Sequence, residues 1–325
     1  MERIEELLGD RDTDMLIVPE ILEEATRSRF SAHTVNPEFI EKGDIVLWGD
    51  VIFNRELLND ILGCREGALY TSAGRNVALV AHDTIPVNDM ANTNLPRNEV
   101  QALIPSGIWD IPLLNGEQLI RDFESIAHLP TLGFVPLIGS GESTSRIEMK
   151  EPSNVFISPG IDIEPFVYID ASEGPVILGE NVSLKSGTVI RGPFFADRGT
   201  VIYSAKISGG TTFGPVCRVG GEIEASIIHG DSNKHHDGFL GHSYLGEWVN
   251  LGALTTNSDL KNNYGNIRYP ISSTEIVDTG RMKVGAFLGD HTKTGIGTLL
   301  NSGTNIGVAC NVWGGNMAPK YLKSF

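Results

Sequence analysis

Cysteine is scarce in this chain of 325 residues: Cys64, Cys217 and Cys310 stand far apart, with no Cys-x-x-Cys pair. That excludes a thiolate zinc site and a disulfide framework, and it fits a reducing cytoplasm. Positive charge is scarce too. Against 41 Asp and Glu there are 25 Lys and Arg, a net charge of -16, which excludes a general nucleic-acid or acidic-membrane binder because both partners reward a cationic face. Long apolar runs are missing: no stretch reaches about 18 residues. The opening Met1-Glu2-Arg3-Ile4-Glu5-Glu6-Leu7-Leu8 is acidic and amphipathic, unlike the basic start and apolar core of a signal peptide. A soluble cytoplasmic protein is expected, long enough for two domains.

What is present is a rhythm of six. Residues 288–317 read as five hexads led by Leu288, Thr294, Leu300, Ile306 and Val312, three of them with Gly in the next slot. A strand pattern has period two and a helix pattern period 3.6, so neither accounts for it. The rhythm recurs upstream in Leu178-Gly179-Glu180-Asn181-Val182-Ser183, in hexads led by Leu184 and Ile190, and in Phe213-Gly214, Val219-Gly220, Leu245-Gly246 and Leu251-Gly252. This is the signature of a parallel β-helix built from hexapeptide repeats. Each hexad makes one flat side of a triangular coil, with its lead residue inside and small residues at the corner. The alternative, a Gly-rich all-β sandwich, calls for hairpin turns at roughly 8 to 12-residue spacing.

In the first half, residues 44–53 have a buried-strand composition, and Leu57, Leu58, Ile61 and Leu62 then show helical spacing, a β-α unit of an open α/β sheet. Asp50, near the carboxyl end of that strand, is placed either to hold a divalent metal against a phosphate or to cap a turn. A second helical stretch is expected within residues 98–129, with Trp109, Ile111, Leu113, Leu114, Leu119 and Ile120 among its apolar positions. Residues 130–152 are rich in Gly, Pro and Ser, which puts the domain boundary near 150. The expected division is an incomplete α/β domain over 1–150, a β-helix over 151–317 and a tail over 318–325.

His229, His235, His236, His242 and His291 all lie in the solenoid half, three of them between Ser232 and Tyr244, where the hexad rhythm is lost. A polar, His-rich break in a solenoid reads as a site. Neutral imidazole accepts a proton near pH 7, as needed when an amine or hydroxyl attacks a thioester. Metal binding by His235 and His236 is the rival reading, weakened because consecutive side chains on an extended strand point to opposite faces. Residues 257–283 lack hexads but carry Lys261, Arg268, Arg281 and Lys283, which suit the phosphates of a sugar phosphate or coenzyme A.

Two resemblances rest on these residues. Leu47-Trp48-Gly49-Asp50-Val51 resembles the Gly-Asp segment of sugar-1-phosphate nucleotidyltransferases, whose Asp binds the metal. Those enzymes open with a Gly-rich, Thr- and Arg-containing loop, and nothing before Asp50 supplies one; Gly9-Asp10-Arg11-Asp12 is short and acidic. The resemblance therefore implies either lost pyrophosphorylase chemistry or a chain that starts downstream of the usual beginning.

The run from Tyr244 to Ala253 resembles the acetyltransferase half of bifunctional UDP-N-acetylglucosamine pyrophosphorylase/glucosamine-1-phosphate acetyltransferases, where His-x-x-Tyr-Leu-Gly-Asp leads to Val-Asn-Ile-Gly-Ala-Gly-Thr. Residues 278–295 are similar to the last coils of the archaeal-type members, which continue beyond the position of Phe325. The resemblance implies a mixed chain: a partial nucleotidyltransferase-like α/β domain followed by a left-handed parallel β-helix that transfers acetyl from acetyl-CoA to an amino-sugar 1-phosphate. It implies His242 or His236 as base, the Ala253 amide as oxyanion donor, and Lys234, Tyr244, Asn250, Asp259, Lys261, Arg281 and Lys283 around the substrate. His242 precedes Tyr244 by two residues rather than three, and Asp259 falls where the family has a second Asn. Mg2+ at Asp50 is implied only if the N-terminal domain is active, and a homotrimer with sites between neighbouring prisms is implied throughout. Nucleotidyl transfer and a non-catalytic, trimerising or sugar-nucleotide-sensing solenoid are the alternatives.

Overall fold

The computed structural model describes residues 13–126, 134–137, 147–314 and 317–325. The acidic N-terminal octet and the Gly9–Asp12 segment lie outside them. The chain forms two compact units, Met1–Pro105 and Ser106–Phe325.

In the first unit the expected strand shortens to Ile45–Leu47, and helix Arg55–Gly63 follows it. Asn54 caps that helix by accepting from the Leu57 amide at 2.8 Å. Leu57, Leu58 and Ile61 are buried on one face of the helix. The sheet is not the open parallel kind. Ile45–Leu47 and Ala68–Ser72 both run antiparallel to Arg75–Val80, and only Arg97–Glu99 joins in parallel, on Ala68–Ser72. The four residues Cys64 to Gly67 that leave the helix lead directly into a hairpin, too short a path for a further crossover helix.

Most of the second unit is a coil whose strands visit three parallel ladders in turn, the arrangement of a parallel β-helix. On the first ladder Ile157, Leu178, Ala196, Phe213, Ile228, Leu245, Leu288, Ile306 and Leu322 stand in one register column. The second aligns Ile163, Leu184, Ile202, Val219 and Lys234, and the third Met149, Ile169, Ile190, Ile207, Ile223 and Leu240. All five leads of the final hexads are buried, as a core one side chain wide requires. Where the first ladder turns into the second, Asn181, Val216, Asp231, Trp248, His291 and Ala309 stack coil on coil, each with positive φ. Their amides bond the coil before, as from Val216 to the Arg198 carbonyl at 2.9 Å and from His291 to that of Glu247 at 2.8 Å.

Two expectations change. The coil does not break at the histidines: Val219 pairs with Lys234, Ile223 with Leu240 and Ile228 with Leu245. The rhythm is hidden because Lys234 occupies a core position and the next corner is one residue short. The units also divide at 105/106 rather than near 150. Helix Asp110–Ile126 packs on the first ladder, where Asn115 donates to the Gly210 carbonyl at 2.8 Å and the Phe123 and Phe156 rings lie 4.4 Å apart. Glu148–Lys150 is already a strand of the coil, paired with Tyr168–Asp170. Of the Gly/Pro/Ser-rich stretch, residues 130–133 and 138–146 lie outside the described residues.

Candidate functional site

His235 and His236 stand on the corner from the second ladder to the third, between strands Asn233–Lys234 and Phe239–Gly241. Because this is a corner and not an extended strand, the two rings stack at 4.8 Å and 7° instead of opposing each other. Tyr203 stacks on His235 from the other side at 4.0 Å, which leaves His236 outermost and exposed. The corner of the next coil carries Ala253, and the two are laced together by the Leu254 amide donating to the Asp237 carbonyl at 3.0 Å. Their approach demands glycine: a Cβ at Gly238 would come within 2.2 Å of the Thr255 carbonyl oxygen. On the adjoining second ladder, Asn233 donates to the Asn250 side chain at 2.7 Å and accepts from the His235 amide at 3.0 Å. His236, Ala253 and Asn250 thus share one edge of the prism.

His242 lies on a different edge, the tight corner from the third ladder to the first. It is buried, and its Nδ1 lies 2.7 Å from Asp259 Oδ2. Burial pushes the Asp259 carboxyl up, but the His242 hydrogen bond and the His242 and Lys283 charges outweigh it and hold the group below the ordinary carboxylate value. Asp259, expected to touch substrate, lies against a histidine side chain. Tyr244 sits on the first ladder beside the His229 ring, its hydroxyl pushed up by burial and by the Asp290 and Glu247 charges. Neither shares an edge with Ala253 within one chain.

The expected phosphate ligands have other engagements. Arg281 Nε donates to Asp110 Oδ1 at 2.8 Å, Lys283 Nζ to Glu224 Oε1 at 2.9 Å, and Lys261 Nζ to the Asn266 carbonyl. Lys234 points into the coil, 2% exposed, and donates to the Gly220 and His236 carbonyls at 3.0 and 2.6 Å. Burial pushes its pKa down to about 8, against a smaller opposing pull from Asp237. In the first unit Asp50 carries the Arg75 guanidinium. Among the described residues no group of three or more His, Cys, Asp or Glu could hold a metal. A carboxylate neutralised by arginine, with no such group around it, does not fit Mg2+, which wants oxygen ligands in an octahedron.

No protein-family model matches the chain. Similar curated proteins are a bifunctional sugar-1-phosphate nucleotidylyltransferase/acetyltransferase of Sulfurisphaera tokodaii, 31% identical over 154 residues, 44% of this chain and 36% of that protein. The bifunctional protein GlmU of Rippkaea orientalis is 29% identical over 136 residues, 35% of this chain and 30% of its own. That of Prochlorococcus marinus is 29% identical over 180 residues, 51% and 32%. The chain is a homologue of these bifunctional transferases. Its match spans about a third of their length.

The bifunctional transferases' His-x-x-Tyr-Leu-Gly-Asp pattern can also be laid on the coil before Tyr244. His236-Asp237-Gly238-Phe239-Leu240-Gly241 has the three-residue His-to-aromatic spacing that His242 and Tyr244 lack, with Phe for Tyr and His242 in the place of the Asp. It also lengthens the interval from the aromatic residue to Asn250, from six residues at Tyr244 to eleven at Phe239. The intact Tyr-Leu-Gly at 244–246 lies one coil further on. Among the described residues no helix is long and apolar enough to cross a membrane.

Proposed function

We propose that this chain is a cytoplasmic acetyltransferase that moves an acetyl group from acetyl-CoA to the amino group of an amino-sugar 1-phosphate in nucleotide-sugar biosynthesis. The observation that carries the reading is the common edge of His236, Ala253 and Asn250. In the proposed reaction His236 removes a proton as the neutral amine attacks the thioester carbonyl, forming the C–N bond. The Ala253 N–H faces the oxyanion, and the tetrahedral intermediate collapses by breaking the C–S bond to release coenzyme A as its thiolate. Asn250, held by Asn233, orients the acceptor. No covalent enzyme intermediate is needed.

A left-handed coil and a homotrimer belong to the same proposal. Support for the trimer comes from the edge itself, where Leu254, Ile296 and Trp313 expose an apolar stripe across three successive coils at 56%, 77% and 78%. A neighbour seated there would close the site around His236. The test is coenzyme A thiol release from acetyl-CoA with glucosamine 1-phosphate as acceptor. His236→Ala is expected to lower kcat by on the order of 10² to 10⁴-fold, with His242→Asn retaining most activity. Release that survives His236→Ala refutes the assignment of the base. No release with any amino-sugar phosphate refutes acyl transfer and leaves the sensing solenoid.

A further inference from the structure

His236 is exposed at the tip of its corner, and an exposed side chain changes rotamer within nanoseconds unless its neighbours hold it. Its backbone is fixed by the Lys234 ammonium, which donates to the His236 carbonyl at 2.6 Å. The ring has a separate support that begins far back in the sequence. Tyr203, half-buried, stands two coils before His235, in register with Gly220 on the coil between. A Cβ at Gly220 would come within 1.9 Å of the His235 carbonyl oxygen, so the position takes only glycine and no side chain separates the two rings. Tyr203 is itself anchored from below: Ser204 turns the chain directly after it at φ 44° and donates to the Ser186 carbonyl at 2.6 Å.

Three flat rings thus form one column, Tyr203 on His235 at 4.0 Å and His235 on His236 at 4.8 Å, that ends at the proposed base. We propose that Tyr203 and His235 are positioning residues for acyl transfer: without touching substrate, they hold the His236 ring in the one plane from which it takes the proton. The inference rests on the acyl-transfer reading. Holding a catalytic group in place beforehand removes an orientational cost from the reaction, and one aromatic contact is equivalent to roughly two- to tenfold in rate.

Two measurements on the full chain test this. In the thiol-release assay Tyr203→Leu, which keeps apolar bulk without a flat ring, is expected to lower kcat by about tenfold with KM unchanged. Tyr203→Phe and His235→Phe keep flat rings and are expected to retain the wild-type kcat; the second also removes both nitrogens of His235, so its activity separates stacking from proton transfer by that residue. In NMR of histidine-labelled protein at about pH 9, above the ordinary histidine range, the His236 ring signals are assigned by their loss in His236→Ala. They are expected to be shifted upfield by the stacked ring in the wild type and in Tyr203→Phe, and to move toward free histidine in Tyr203→Leu. Wild-type kcat in Tyr203→Leu, an equal loss in either Phe variant, or His236 signals that stay put in Tyr203→Leu overturns the proposal. If the wild type releases no thiol, it is acyl transfer that fails, and the ring signals still decide whether Tyr203 holds His236.

Discussion

Lys234 fills a register position beside Val219, in a column that runs back through Ile202, Leu184 and Ile163. Its ammonium is buried against two carbonyl oxygens, and one of them belongs to His236, so the cost of burial is spent at the corner that carries the proposed base. The sign of the resulting pH dependence is fixed. The folded pKa, about 8, lies below the unfolded value near 10.5, so the penalty is full below pH 8 and disappears as pH rises to 10.5. Over that window the stability of the wild type relative to Lys234→Met should rise by about 3 kcal/mol, as measured by urea unfolding at a series of pH values. A flat difference would mean that the amine is solvated. Nothing in the sequence marked Lys234 as a core residue: a charged side chain in a lead position reads as a missing hexad, and only the register with Val219 restores it.

Helix Asp110–Ile126 shows what an amphipathic pattern can and cannot convey. Its apolar positions were legible, but an apolar stripe does not name the surface it will cover. Trp109 at its start packs with Ile267, Tyr269, Val284 and Phe287, which ties the helix to the insertion that interrupts the hexads. That insertion carries the antiparallel hairpin of Arg268–Pro270 with Ile276–Asp278. Asp110 locks the junction, accepting from Arg281, from the Ser106 amide at 2.9 Å and from the Ser106 hydroxyl. Burial raises its carboxyl pKa, but the Arg281 and Ser106 bonds outweigh that and hold it below the ordinary value. Its contribution is therefore complete above the unfolded carboxylate pKa, about 4, and is lost as pH falls further. Asp110→Ala should cost about 2 to 3 kcal/mol at pH 7, checked by thermal unfolding, with the difference shrinking toward pH 3.

At the scale of the whole chain the solenoid was legible because its core is one side chain wide. Every sixth residue must be small enough and apolar enough to fit, and Leu288, Leu300 and Ile306 announce it. The first unit has no such constraint, and a mixed sheet cannot be told from an open parallel one by a single buried strand and a helix. The edge shared by His236 and Ala253 was hidden for a related reason: sequence spacing orders residues along the coil, whereas the proposed site follows an edge that crosses it. In the proposed trimer that edge also makes the contact. Trp313→Glu should therefore lower the mass found by light scattering from three chains to one and abolish thiol release, with the coil's circular dichroism unchanged.

The stack of left-handed residues at the first corner has a consequence for how this coil can be altered. A β-branched side chain at φ 60°, as at Val216, holds a conformation that costs about 1 to 2 kcal/mol and that glycine adopts freely. Val216→Gly should raise the unfolding free energy by about 1 kcal/mol, since the side chain is 43% exposed and gives up little burial. Because the same position recurs along the coil, the corner forms a row of positions at which the prism can be stabilised one turn at a time, away from the proposed acylation edge.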